Sequence, residues 1–240
     1  MAQSAIVVGA GTGTGAEIAK RFARGGYNVA VARRSAEALE PLVSEIEAAG
    51  SVARAFGLDA SDEGGIETMF AEVERDLGAV DVAVFNAAGF TMSAVVDTTK
   101  EDFELMWRAS SLGGFLVGRE AARKMLPRGR GTILFTGATA AMKASAKFSA
   151  FAAGKHGLRA VAQSLAKEVG PSGIHVSHVI VDGLIDVPRV HENMPELAAS
   201  KGDDGMLDPK SIANAYFMLH EQPKNAWTFE LDLRPFAEPW

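Results

Sequence analysis

A glycine-rich corner, Gly9-Ala10-Gly11-Thr12-Gly13-Thr14-Gly15, follows the apolar run Ala5–Val8 and precedes a segment bearing Ile18, Ala19 and Phe22 at helical spacing. Glycine loses more conformational freedom on ordering than any other residue. Four glycines at alternate positions therefore mark a backbone that must turn sharply or approach something closely. Between a strand and a helix that partner is a phosphate, because the first N–H groups of the helix are unbonded and its dipole end is positive. A tight turn without a ligand is the plainer alternative, and it leaves the entropy cost without a return.

Beyond the corner, short apolar runs alternate with helix-period segments. Strands are expected over Ala5–Gly9, Asn28–Ala32, Val52–Leu58, Val80–Asn86, Thr132–Thr136, His175–Val181 and Trp227–Leu231. Several are apolar throughout, as strands covered on both faces should be. Leu39, Leu42, Val43 and Ile46 share one helical stripe, as do Ile66, Met69, Phe70, Val73 and Leu77, and again Leu158, Val161, Ala162, Leu165 and Val169. Thr99, with Asp102 three residues on, resembles a capping box opening a long helix over Lys100–Met125, which Pro127 and Gly129 stop. The alternation implies an α/β chain of the Rossmann type: one doubly wound domain over residues 1–240, with about seven mostly parallel strands and helices on both faces. Residues 184–207, rich in proline, methionine and charge, read as a flap over a site or as plain surface loop. The tail 227–240 carries Trp227, Phe229, Pro235, Phe236, Pro239 and Trp240. So much apolar surface implies either association with another copy or packing on its own subunit.

Composition removes several function classes. There is no cysteine, which excludes disulfides, thiolate metal sites and a cysteine nucleophile. The formal net charge of −6 disfavours nucleic acid as a partner. The sequence holds no run of eighteen apolar residues to span a membrane, and the N-terminus lacks a basic leader, so a cytoplasmic protein is expected. His156, His175, His178, His191 and His220 are scattered and read as structural or surface residues, so no metal site is expected.

The end of the second strand reads Ala32-Arg33-Arg34-Ser35, with no carboxylate before Glu37. A fold that binds NAD usually places an acid there for the ribose 2′-hydroxyl, whereas two arginines suit a 2′-phosphate. NADP (as NADPH) is therefore favoured over NAD. Two solvated surface arginines are the alternative.

Here the chain resembles the short-chain dehydrogenase/reductase family over nearly its whole length. The family's glycine loop matches Gly9, Gly13 and Gly15, with Gly11, Thr12 and Thr14 between them. Its adenine-contacting acid matches Asp59, and its asparagine-alanine-glycine stretch matches Asn86-Ala87-Ala88-Gly89. Lys155 matches the family lysine, and Asp182-Gly183 stands for its proline-glycine, which puts the backbone of Ile185 at the carboxamide. The resemblance implies a cofactor-binding set of these residues with Arg33 and Arg34, a small-molecule substrate, and a homodimer or homotetramer.

The resemblance also implies a catalytic asparagine, serine, tyrosine and lysine. In this sequence those positions hold Ser111, Ala138 with Thr139 beside it, Phe151 and Lys155. Phenylalanine has neither a proton to give nor a lone pair to accept one. Three functions remain open on the residues. The first is a reductase of a small carbonyl or imine (or oxidation of the alcohol or amine), using Thr139, Ser145, Ser149 or a water held by Lys155, or an acceptor that needs no acid. The second is a dinucleotide-binding sensor or inactive partner subunit. The third is a non-redox lyase on the same bed.

Overall fold

The computed structural model describes residues 3–239. Seven strands form one parallel sheet: β1 (Gln3–Val8), β2 (Asn28–Arg33), β3 (Ala53–Gly57), β4 (Ala79–Phe85), β5 (Gly131–Thr136), β6 (Ile174–Val181) and β7 (Glu230–Leu233), in the order β3-β2-β1-β4-β5-β6-β7. Strand order reverses between β1 and β4, and ligands bind beyond the C-terminal ends of strands at such a switch point. Side chains alternate faces along a strand. Ala5 and Val7 accordingly enter one core layer with Ile18, Phe22 and Tyr216, while Ile6 and Val8 enter the other with Phe70, Phe85 and Phe135. Apolar residues on both faces of β1 are what a sheet sandwiched by helices requires.

The helices are α1 (Thr14–Arg24), α2 (Glu40–Ala48), α3 (Glu63–Asp76), α4 (Lys100–Trp107), α5 (Gly113–Met125), α6 (Ser149–Val169), α7 (Pro188–Asn193), α8 (Pro195–Ser200) and α9 (Pro209–His220). Thr99 caps the helix, its Oγ1 accepting from the Asp102 backbone N–H at 3.0 Å. The helix expected over 100–125 continues to Met125, but five residues, Arg108–Leu112, form a π-turn between α4 and α5. Helical periodicity carries no signal for such a turn. Gly129 closes the segment in the left-handed region at φ 62°.

One expectation needs correction. The last strand starts at Glu230, not Trp227. Residues 222–228 are held as a loop instead: Gln222 Oε1 accepts from the Thr228 N–H at 2.8 Å, and Trp227 stacks on His175 with ring centroids 4.9 Å apart. The segment after β6 contains α7 and α8, and its ends are zipped where Ile185 bridges Leu207. Of the aromatic tail, Trp227 and Phe229 are half-buried, Pro235 is buried and Phe236 is 84% exposed. Trp240 lies outside the described residues. Among the described residues, no helix is long and apolar enough to cross a membrane, and no cluster of three or more acid or histidine side chains suits a metal.

Candidate active site

The corner after β1 is closed by its neighbours. Gly9 adopts φ +92°, and a Cβ there would lie 2.4 Å from the Ala87 nitrogen, so only glycine fits against the chain leaving β4. Asn86 secures the same junction, its Nδ2 donating to the Gly9 carbonyl at 2.9 Å. Thr136 at the end of β5 donates to Asn86 Oδ1 at 2.9 Å and bonds the buried Tyr216 hydroxyl at 2.7 Å. Side chains from β4, β5 and α9 thus lock the loop.

This corner fits a dinucleotide pyrophosphate. Helix α1 starts after Gly13 with no side chain capping its free N–H groups. A Cβ at Gly11 would meet nothing within 4 Å, so a ligand can approach the backbone there. A cavity of about 220 Å³ opens between Thr12, Gly13 and Glu17 of the corner and Asp186, Val187 and Asp208 of the chain after β6. Val187 packs against Gly13 so closely that a Cβ there would lie 2.8 Å from its Cγ1. Thr14 and Gly15 are buried in the first turn of α1.

At the end of β2, Arg33 is half-buried and Arg34 exposed. The nearest following acid, Glu37, is engaged by Ser35 Oγ at 2.9 Å. Asp59 accepts from the N–H and hydroxyl of Ser61, both at 2.8 Å, which holds its carboxyl below the usual range. The charges of Arg34 and Arg108 add to the effect. Ala87, Ala88 and Gly89 form the loop after β4, with Gly89 packed on Met106. Gly183, at φ +148°, packs against Pro235, and Ile185 follows it.

At the other end of the bed, Lys155 is 3% exposed on α6 and donates from Nζ to the Thr136 carbonyl at 2.8 Å. Burial alone pushes its pKa down to about 8. Ser111, inside the π-turn, donates to the Gly154 carbonyl at 2.8 Å, next to Lys155. Ala138 lies in extended backbone after β5 and carries no side-chain oxygen. Thr139 donates to Asp182 Oδ1, and Asp182 Oδ2 pairs with Arg234 at 3.0 Å. Phe151 joins Phe90 and Phe148 in a three-ring cluster with centroids 5.4, 5.9 and 6.3 Å apart. Ser149 opens α6 and Ser145 is exposed.

A family profile described as short chain dehydrogenase matches residues 3–197. The chain belongs to the short-chain dehydrogenase/reductase family. Its members are NAD(P)-dependent oxidoreductases, and the seven-stranded parallel sheet is the Rossmann-type fold they share. A short-chain dehydrogenase from Rhodopseudomonas palustris superposes with a TM-score of 0.84 at 41% identity, covering 98% of this chain and 99% of that one. A single-residue variant of the actinorhodin polyketide ketoreductase, in its structure with NADPH, gives a TM-score of 0.89 at 25% identity, over 100% of this chain and 98% of its own. A 3-oxoacyl-[acyl-carrier-protein] reductase from Bos taurus is 30% identical over 219 residues, 90% of each chain.

Motif spacing did not reveal Asp182 and Arg234 as partners of Thr139, because they come from the ends of β6 and β7. Nor did it reveal the ion-paired group behind Lys155. There the buried His178 faces Glu230 at 3.1 Å, and Glu230 accepts from Nε and Nη2 of Arg159 at 2.6 and 2.8 Å. Spacing carries no signal for it, since Arg159 on α6 and Glu230 on β7 lie 71 residues apart.

Proposed function

We propose that this family member is an NADP(H)-dependent oxidoreductase that interconverts a small carbonyl or imine with its alcohol or amine, without a tyrosine acid. One observation carries the reading: Lys155, 3% exposed, holds its ammonium against the Thr136 carbonyl at the end of β5, where desolvation makes a charge costly. The dinucleotide, when bound, supplies or accepts the hydride. In this reading the corner Gly9–Gly15 cradles the pyrophosphate, Arg33 and Arg34 take the 2′-phosphate, and Asp59 faces the adenine. Asn86–Gly89 and Gly183–Ile185 flank the ribose and carboxamide, and Lys155 holds the nicotinamide ribose hydroxyls. That relatives bind NADPH or are named ketoreductases supports this assignment.

Ala138 and Phe151 offer no proton at the positions where the resemblance implies serine and tyrosine. Loss of one positioned acid typically costs about 10²–10⁴ in rate, so ordinary ketones are poor substrates. The experiment is a direct titration of NADPH against NADH, followed by NADPH consumption over a panel of carbonyls and imines for the wild type and Phe151→Tyr. Tight NADPH binding with turnover supports the reading, and a chain that takes up neither coenzyme ends it. A second reading, a dinucleotide-binding protein with little turnover, is favoured by the packing of Phe151 against Phe90 and Phe148. It predicts NADPH binding with no consumption on any substrate. Phe103, Leu105, Trp107 and Phe115 are all exposed on α4 and α5, which supports a homodimer or homotetramer, measurable by light scattering.

A further inference from the structure

Thr139 donates its hydroxyl proton to Asp182 Oδ1. A hydroxyl has one proton and two acceptor positions, so a committed proton leaves lone pairs for any further neighbour. Asp182 is 7% exposed, and its other oxygen is held by Arg234 Nη2 at 3.0 Å. The same guanidinium also pairs with Asp232 at 2.6 Å. Two carboxylates sharing one guanidinium leave this cluster leaning negative. It stands at the C-terminal ends of β5 and β6, where the fold puts its ligands. The 3₁₀ turn that Thr139 opens packs on α6, which carries Phe151. With Phe148 and the 53%-exposed Phe90, that ring offers apolar surface and electron-rich faces.

Resting on the reading above, we propose that the substrate enters this site as a hydrogen-bond donor. It is an alcohol or a protonated amine on a flat apolar body, with its O–H or N–H directed at the Thr139–Asp182 pair and its body on the three rings. A ketone oxygen, which has only lone pairs, meets lone pairs there and is disfavoured.

The test is calorimetric titration of the coenzyme-free protein with protonated 1-phenylethylamine and, separately, acetophenone. The amine is expected to bind at least about tenfold tighter, the worth of one charge-assisted hydrogen bond. Thr139→Val, which keeps the shape, and Asp182→Asn are each expected to bring the two probes within about twofold, while Thr139→Ser keeps the preference. Equal binding by the wild type, a preference that survives Thr139→Val, or no binding of either probe at millimolar concentration overturns the proposal. NADPH titrated into the same samples separates the two readings. Coenzyme uptake without amine preference removes only this inference, and failure of uptake removes the oxidoreductase assignment beneath it.

Discussion

The ammonium of Lys155 donates to the carbonyl oxygen of Thr136 at 2.8 Å from a position only 3% exposed. Thr136 in turn bonds Asn86, which bonds the Gly9 carbonyl, so a single chain of hydrogen bonds joins the buried lysine to the glycine corner. The two ends of the expected coenzyme bed are thereby set relative to each other before any ligand arrives.

Burial of Lys155 costs stability while its nitrogen is charged. Its pKa is lowered from 10.5 to about 8. At pH 7 it is an ammonium in both folded and unfolded chains, and the folded one carries a desolvation penalty of about 3 kcal/mol. Lys155→Met removes this and also loses one hydrogen bond, so a net gain of about 1–2 kcal/mol is expected at pH 7, together with weakened NADPH binding. Above pH 8 the folded wild type sheds the proton while the unfolded chain retains it. The wild type therefore regains stability and the gap narrows. Urea unfolding at pH 7 and pH 9 checks both the sign and the trend.

His178 works in the opposite pH range. Burial lowers its pKa from 6.5 to about 4, against the raising effect of Glu230 and with help from the charges of Lys155 and Arg159. Between these values the unfolded chain takes up a proton that the folded one refuses. This residue's share of stability is whole above pH 6.5 and is lost toward pH 4, at about 1.4 kcal/mol per unit. His175 and His220 shift in the same direction through burial. His178→Asn is expected to make the acid-side slope of unfolding free energy shallower by about one proton, measured by denaturation at pH 7, 6 and 5.

Arg33 and Arg34 are expected to set coenzyme choice. Replacing both with alanine removes two charge-assisted contacts to a 2′-phosphate. NADPH affinity should fall by at least about tenfold while NADH affinity stays within about threefold. Fluorescence titration of both coenzymes decides it, and an equal loss for the two means the arginines serve only the shared part of the molecule.

Gly9→Ala should be among the more damaging single changes in the corner. It places a Cβ 2.4 Å from the Ala87 backbone nitrogen and strains a φ of +92°. A backbone neighbour cannot step aside as a side chain can, so a loss of about 2–4 kcal/mol is expected together with coenzyme binding. Thermal unfolding and an NADPH titration report on the two losses separately.

Much of the architecture was legible in the one-dimensional pattern. The runs Ala5–Val8 in β1 and Val82–Phe85 in β4 are apolar on both faces, as a covered parallel sheet requires. The stripe Ile66–Leu77 buries throughout, and of the stripe Leu158–Val169 the residues Leu158, Ala162 and Val169 are buried while Val161 and Leu165 are half-buried. The strand expected from Trp227 fared worse. Aromatic content marks burial as readily as strand, and here Trp227 is spent on stacking against His175. The π-turn at Arg108–Leu112 was illegible because no residue in it breaks helical spacing.

Local order along the chain was sufficient to determine the glycine corner, the alternation of strands and helices, the two arginines at the end of β2 and the phenylalanine one turn before Lys155. Each of these depends only on neighbours in sequence. Whether a lysine is buried, which carboxylate accepts the Thr139 hydrogen bond and which rings surround Phe151 were decided by tertiary structure alone. Those facts arise where the ends of β4, β5, β6 and β7 converge. Burial and ion pairing act through distance in space, and residues as far apart in the chain as Thr139, Asp182 and Arg234 carry no mutual signal until the sheet has brought them together.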